Sequence, residues 1–85
     1  MQVRVLYFAS LRDVVGRSSE TVELPGDAAT LKAVREALVG KGAPWAEAFA
    51  NLKRVRGAIN QTMAEDDDKV SDGDEVAFFP PVTGG

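Results

Sequence analysis

The residues with the clearest chemistry are the last two. Gly84 and Gly85 end the chain behind Phe78-Phe79-Pro80-Pro81-Val82-Thr83. An α-carboxyl titrates near ~3.5, so at pH 7 this end is an anion. A carboxylate is a poor electrophile, so acyl chemistry at Gly85 requires activation, for example as an acyl-adenylate. Glycine has no Cβ, so a Gly-Gly end threads a channel too narrow for any side chain and takes φ of either sign. With glycine at ~7% of residues, two terminal glycines arise by chance in roughly 0.5% of chains, which makes accident a poor explanation.

Other chemistry is scarce. The chain has 85 residues, no cysteine and no histidine. That excludes disulfides, thiolate metal sites and a side-chain persulfide, as well as the usual base of a Ser-His-Asp triad and the commonest zinc ligand. Glu65-Asp66-Asp67-Asp68 with Asp72 and Asp74 suggests calcium at first sight. Val70, however, falls where an EF-hand needs an Asp or Asn, and the loop glycine is misplaced, so no metal site is expected. Gly40-Lys41-Gly42 is too short for a phosphate loop, and Asn60-Gln61-Thr62 matches a glycosylation sequon but reads as a turn. Lys53, Arg54 and Arg56 read as a solvated edge that blunts strand pairing. Trp45 and Phe49 read as satellite core packing. A net charge of −3 argues against nucleic acid as partner. No apolar run approaches the ~18 residues that span a bilayer. Met1 opens on a strand-like stretch without a signal-peptide pattern, so a cytoplasmic protein with no membrane partner is expected.

These observations ask what holds the Gly-Gly end out. Asp72-Gly73 is a turn signal, and Glu75 to Phe79 a short β-prone strand. Pro80 and Pro81 cannot donate to a ladder, so pairing ends there. Residues 80–85 reach about 20 Å when extended. They carry nothing large to bury, so a folded domain over 1–79 with a flexible tail over 80–85 is expected, the tail acting as a delivery arm.

Upstream, Gln2 to Ala9 alternates: Val3, Val5 and Tyr7 on one face, Gln2, Arg4, Leu6 and Phe8 on the other. Ser10 begins a capping-box pattern, predicting a short helix over Leu11 to Val15 stopped by Gly16. Glu20 to Leu24 alternates again, ends at Pro25-Gly26, and pairs with the first strand. Thr30 caps the main helix, whose Leu31, Val34 and Leu38 share a face. Lys32 and Glu36 face out as an i,i+4 pair, and Gly40 takes the position just past the helix end. Pro44 to Ala50 is a further short helix with proline first. Arg54 to Ile59 is a strand, Asn60-Gln61 a turn, and Thr62 to Ala64 another strand. Val70 rejoins the core. One main helix across one mixed sheet, with short extra helices, is an α+β layer arrangement. Apolar residues on both faces of the first and last strands place those strands centrally. A parallel terminal pair flanked by hairpins is the β-grasp, or ubiquitin-like, architecture.

Ala58-Ile59-Asn60-Gln61-Thr62, the stretch from Asp72 to Gly85 with its Phe-Phe-Pro-Pro-Val-Thr-Gly-Gly ending, and the opening Val5 to Asp13 together resemble the small, sulfur-carrying subunit of molybdopterin synthase. Arg17 to Leu52 carries little of that likeness. The resemblance implies a non-catalytic carrier with no bound cofactor. An E1-like adenylyltransferase would use ATP and magnesium to adenylate Gly85, and a sulfur donor would convert it to a thiocarboxylate. Val82, Thr83 and Gly84 would bind in the channel of the large synthase subunit, in a heterotetramer of two large and two small subunits. The sulfur would pass to cyclic pyranopterin monophosphate, with two turnovers per molybdopterin. The alternatives are a ubiquitin-like modifier joined to substrate lysines through Gly85, a thiamine-pathway sulfur carrier, and an interaction module with an idle tail.

Strand parity predicts where a partner docks. With Val3, Val5, Tyr7, Val76 and Phe78 inward, Leu6, Phe8 and Phe79 face outward at one sheet end. Met63 joins them from a neighbouring strand, and Arg12 is a polar rim contact. Large exposed apolar groups at the root of an arm form a binding patch rather than scattered surface residues.

Overall fold

The computed structural model describes residues 1–50 and 55–80. Two hydrophobic end strands organise it. Strand β1 (Gln2–Tyr7) lies parallel to β7 (Glu75–Phe79), with Val5 opposite Val76 and Tyr7 opposite Phe78. On the other side of β1 runs antiparallel β2 (Ser19–Glu23). On the other side of β7 runs antiparallel β4 (Arg56–Ile59), followed by β5 (Thr62–Ala64), giving the sheet order β2-β1-β7-β4-β5. The β4–β5 hairpin turns through Asn60 and Gln61, both at positive φ (49° and 69°), as the primed two-residue hairpin turn requires.

Helix α2 (Leu31–Val39) packs across one face of this sheet and buries Leu31, Val34 and Leu38. Thr30 caps it as expected, its hydroxyl accepting from the Ala33 N–H at 3.1 Å. Short helices α1 (Ala9–Val15) and α3 (Trp45–Ala50) complete the layer. The core lies between the layers and includes Val3, Val5, Tyr7, Val70, Val76 and Phe78, each at most 1% exposed. Trp45 and Phe49 pack against it partly buried, and Phe49 meets Phe78 edge-on at 5.3 Å. This is the α+β, β-grasp arrangement.

Several expectations are corrected. A second, two-stranded sheet pairs β3 (Ala28–Thr30) with β6 (Lys69–Ser71), which explains how Val70 reaches the core. The first strand stops at Tyr7, because Phe8 becomes the residue before α1 and Ala9 turns to φ 52°. Ser10 does not cap α1. It lies inside the helix, and the Phe8 carbonyl accepts from the Leu11 and Arg12 N–H groups instead. Gly16 does end α1 in the left-handed region, at φ 84°. Gly40 stays right-handed after α2. The chain adds a tight turn, with Lys41 and Gly42 N–H groups bonded to Leu38 and Val39 carbonyls, and reverses at Gly42 (φ 89°). Arg56 is not on an edge, since β4 is flanked by β7 and β5. Lys53 and Arg54, assigned with it, lie outside the described residues. Lys32 and Glu36 are both exposed, but the ion pair that α2 makes is Arg35 with Asp66, bidentate at 2.8 and 3.0 Å.

Candidate functional site

Site geometry begins where β7 ends. Phe79 is the last strand residue, Pro80 follows, and Val82, Thr83, Gly84 and Gly85 lie outside the described residues. Because β7 is parallel to β1, their C-terminal ends meet. The Phe8 N–H donates to the Phe78 carbonyl at 3.2 Å, which sets Phe8 beside the root of the tail. Side chains alternate along a strand, and Val76 and Phe78 are fully buried, so Glu75, Ala77 and Phe79 share the opposite face. The same alternation puts Leu6 and Phe8 there.

The expected outer patch therefore exists as a surface. Register joins Ser19, Leu6, Ala77, Ala58 and Met63 into one row across all five strands. Phe8 is 46% exposed and Met63 53%, while Leu6, Ala77 and Phe79 are half-buried. Helices α1, α2 and α3 contribute to the core on the other side, whereas the row Leu6–Ala77–Met63 is absent from that core. Arg12 is exposed on α1, one turn beyond Phe8, whose carbonyl its N–H approaches at 3.5 Å.

Sequence reading missed three parts of this face. Ala58 and Ala77 make its flat centre; their small size hid them, though their parity with Phe79 and Arg56 was available. Arg56 stands opposite Phe79 in register and faces outward, making it a second cationic rim residue.

Behind the patch, one carboxylate fixes the same sheet end. Glu20 Oε2 accepts from the Tyr7 hydroxyl at 2.7 Å and from Trp45 Nε1 at 2.9 Å, while Oε1 accepts from Lys41 Nζ at 2.6 Å. Its side chain is 8% exposed. Burial alone would push the Glu20 carboxyl up, but the donors Lys41, Tyr7 and Trp45 together hold it below the ordinary range. Burial, and then the bond to Glu20, pushes the Tyr7 phenol up. Lys41 also lies 4.5 Å from the Trp45 ring centre, a cation–π contact. Among the described residues no group of three acidic side chains is placed to hold a metal ion, and no helix is long and apolar enough to cross a membrane. The described site thus has an apolar platform beside the end of β7, with no acid–base or nucleophilic constellation among the described residues of the platform.

Comparison with known proteins gives this geometry a setting. The sequence pattern of the ThiS family matches residues 5–85. The molybdopterin synthase sulfur carrier subunit of Haemophilus influenzae is 47% identical over 98% of this chain and 99% of its own length. The Escherichia coli protein of the same name is 42% identical over the same shares. Among solved structures, SAMP1 from Haloferax volcanii superposes with a TM-score of 0.80 at 30% identity, each chain covered in full.

Proposed function

Since the chain belongs to the ThiS family, alongside the molybdopterin synthase sulfur carrier subunits, we propose that it is the sulfur carrier of molybdopterin synthesis and that Gly85 holds the sulfur. The Gly85 carboxylate attacks the α-phosphorus of ATP, with magnesium, on an E1-like adenylyltransferase. Pyrophosphate leaves and an acyl-adenylate forms. Hydrosulfide-level sulfur, released by a sulfur donor, then attacks the acyl carbon and displaces AMP, leaving a thiocarboxylate. The tail enters the large synthase subunit, with Val82, Thr83 and Gly84 in the channel. There the sulfur passes to cyclic pyranopterin monophosphate, twice per molybdopterin. General acid–base groups come from the partners, in keeping with a chain that has neither histidine nor cysteine.

The observation that carries this reading is that β7 ends, at Phe79, beside an exposed apolar face. A partner that takes the tail inward must cover Phe79, Phe8, Leu6 and Met63, with Arg12 at the rim. That fits a large subunit deep enough to enclose the tail; the assembly of two large and two small subunits is part of the same proposal. The test is reconstitution with the activating enzyme, ATP, magnesium, a sulfur donor, the large subunit and cyclic pyranopterin monophosphate. Molybdopterin should form with the full chain and not with a chain lacking Gly85.

A second reading, protein modification, is favoured by the likeness to SAMP1, the small archaeal modifier protein 1 of Haloferax volcanii. Incubation of the same activated chain with cell proteins separates the two. A modifier yields isopeptide adducts of raised mass, and a carrier leaves other proteins unchanged.

A further inference from the structure

We propose that the free edge of β5 receives an extended segment of the subunit that takes the tail, through a two-hydrogen-bond bridge to the backbone of Met63. The inference rests on the carrier reading above and adds the mode of recognition.

Register fixes which backbone groups are free. The Asn60 N–H donates to the Glu75 carbonyl at 2.7 Å, and Ala58 lies opposite Ala77. In an antiparallel ladder residues alternate between bonding one neighbour and the other. Ala58 therefore bonds towards β7, while Gly57 and Ile59 bond towards β5. The two-residue turn gives the same answer, since it closes on Ile59 with Thr62 as a bonded pair. Met63, opposite Ala58, must then point its N–H and C=O away from β4. β5 is the last strand of the sheet, and neither group bonds another described residue. Beside it lies a shallow depression of about 250 Å³, lined by Ile59, Thr62, Met63, Ala64, Asp68 and Lys69.

The apolar row Leu6–Ala77–Ala58–Met63 runs straight to this edge. A partner seated on the row takes Met63 out of water, and a buried amide is nearly always hydrogen-bonded. The opposite edge, β2, lacks this combination, because its outward residues Ser19, Thr21 and Glu23 are polar. The β5 edge is also short. Just past it the Glu65 N–H is taken by Asp68 Oδ2 at 2.7 Å. One bridge is too little to recruit strands indiscriminately, which keeps the free chain safe from edge pairing. It counts only for a partner that the apolar row has already positioned.

The test uses the whole chain and the large synthase subunit from the same source. Amide exchange at Met63 should slow by at least about tenfold on complex formation, the worth of roughly one net hydrogen bond. Met63→Ala should retain that protection while binding more weakly. Met63→Pro, at an edge position whose N–H the monomer does not use, should bind roughly tenfold more weakly than Met63→Ala. Equal affinity of the two variants, or a Met63 amide as fast in the complex as free, would overturn the bridge. If the proline variant fails to fold, the exchange measurement on the unsubstituted chain decides alone. A complex that forms and delivers sulfur with an unprotected Met63 overturns only the bridge. Absence of any complex overturns the carrier reading and the bridge with it.

Discussion

At Glu20, donors from three parts of the chain converge on one nearly buried carboxylate. Sequence alone shows no trace of this, because Tyr7, Lys41 and Trp45 come together only when β1, β2 and the α2–α3 connection are assembled. The carboxyl is held below the ordinary glutamate value of 4.5. Its contribution is therefore fully present above that value and lost as pH falls through the lower folded-state value. Glu20→Gln keeps the shape but loses the charge, and should cost about 1–2 kcal/mol at neutral pH. Thermal melts from pH 7 down to 3 should show the variant losing less stability on acidification than the unsubstituted chain; parallel curves would contradict the assignment. At the other residue singled out, Phe79, the parity was readable in advance, since Val76 and Phe78 are one strand's inward pair. Phe79→Ala should weaken large-subunit binding by ~2 kcal/mol or more, a hot-spot amount, with a smaller loss of monomer stability. Titration and melting together test it, and unchanged affinity with a collapsed melt would place Phe79 in the core.

Among the elements, those with strong local chemistry were legible: alternating β1, Thr30 before α2, Gly16 after α1, and the Asn60-Gln61 turn. β3 was not, because Ala28-Ala29-Thr30 is three residues without alternation and exists by pairing with β6, about forty residues away in sequence. Ser10 failed as a cap because Ala9 already turned the chain into the helix. Glycine inside a strand ordinarily weakens it, yet the lack of a side chain at Gly57 is what lets α2 approach. A Cβ there would lie 2.8 Å from Leu31 Cδ2 and 3.0 Å from Cδ1. Leu31 is 2% exposed and has little room to yield. Gly57→Ala should cost ~1–3 kcal/mol by overpacking, and trimming Leu31 to alanine in the same chain should recover part of that loss. Strictly additive losses in denaturant titrations would show that the two positions do not touch. In the hairpin, Gln61 holds φ 69° without being glycine. Gln61→Gly should raise stability by ~0.5–1 kcal/mol, since left-handed backbone is strained for other residues. A lower melting temperature would mean that the Gln61 side chain itself supports the turn.

For the molecule as a whole, architecture and chemistry are separated. The described residues form a sheet, a helix layer and one apolar face, and the proposed reactive atom belongs to the chain end beyond them. The fold class and the main pairings were legible, while the β3–β6 pair and the inner place of β4 were not. Hydrophobic alternation, caps and turns act locally, whereas edge order and the Glu20 cluster depend on contacts between distant segments. The same difference explains why the outward apolar face could be placed from parity, with Ala58, Ala77 and Arg56 added only once the register was known. The central claim is that Gly85 alone carries the sulfur. Its most direct test is mass spectrometry of the intact chain and its C-terminal peptide. The chain is first incubated with the activating enzyme, ATP, magnesium and a sulfur donor. The account predicts a mass gain equal to exchanging one oxygen for sulfur, located on Gly85, and no gain in a chain extended by one alanine. A gain located elsewhere, or an alanine-extended chain that is still converted without processing, would contradict it.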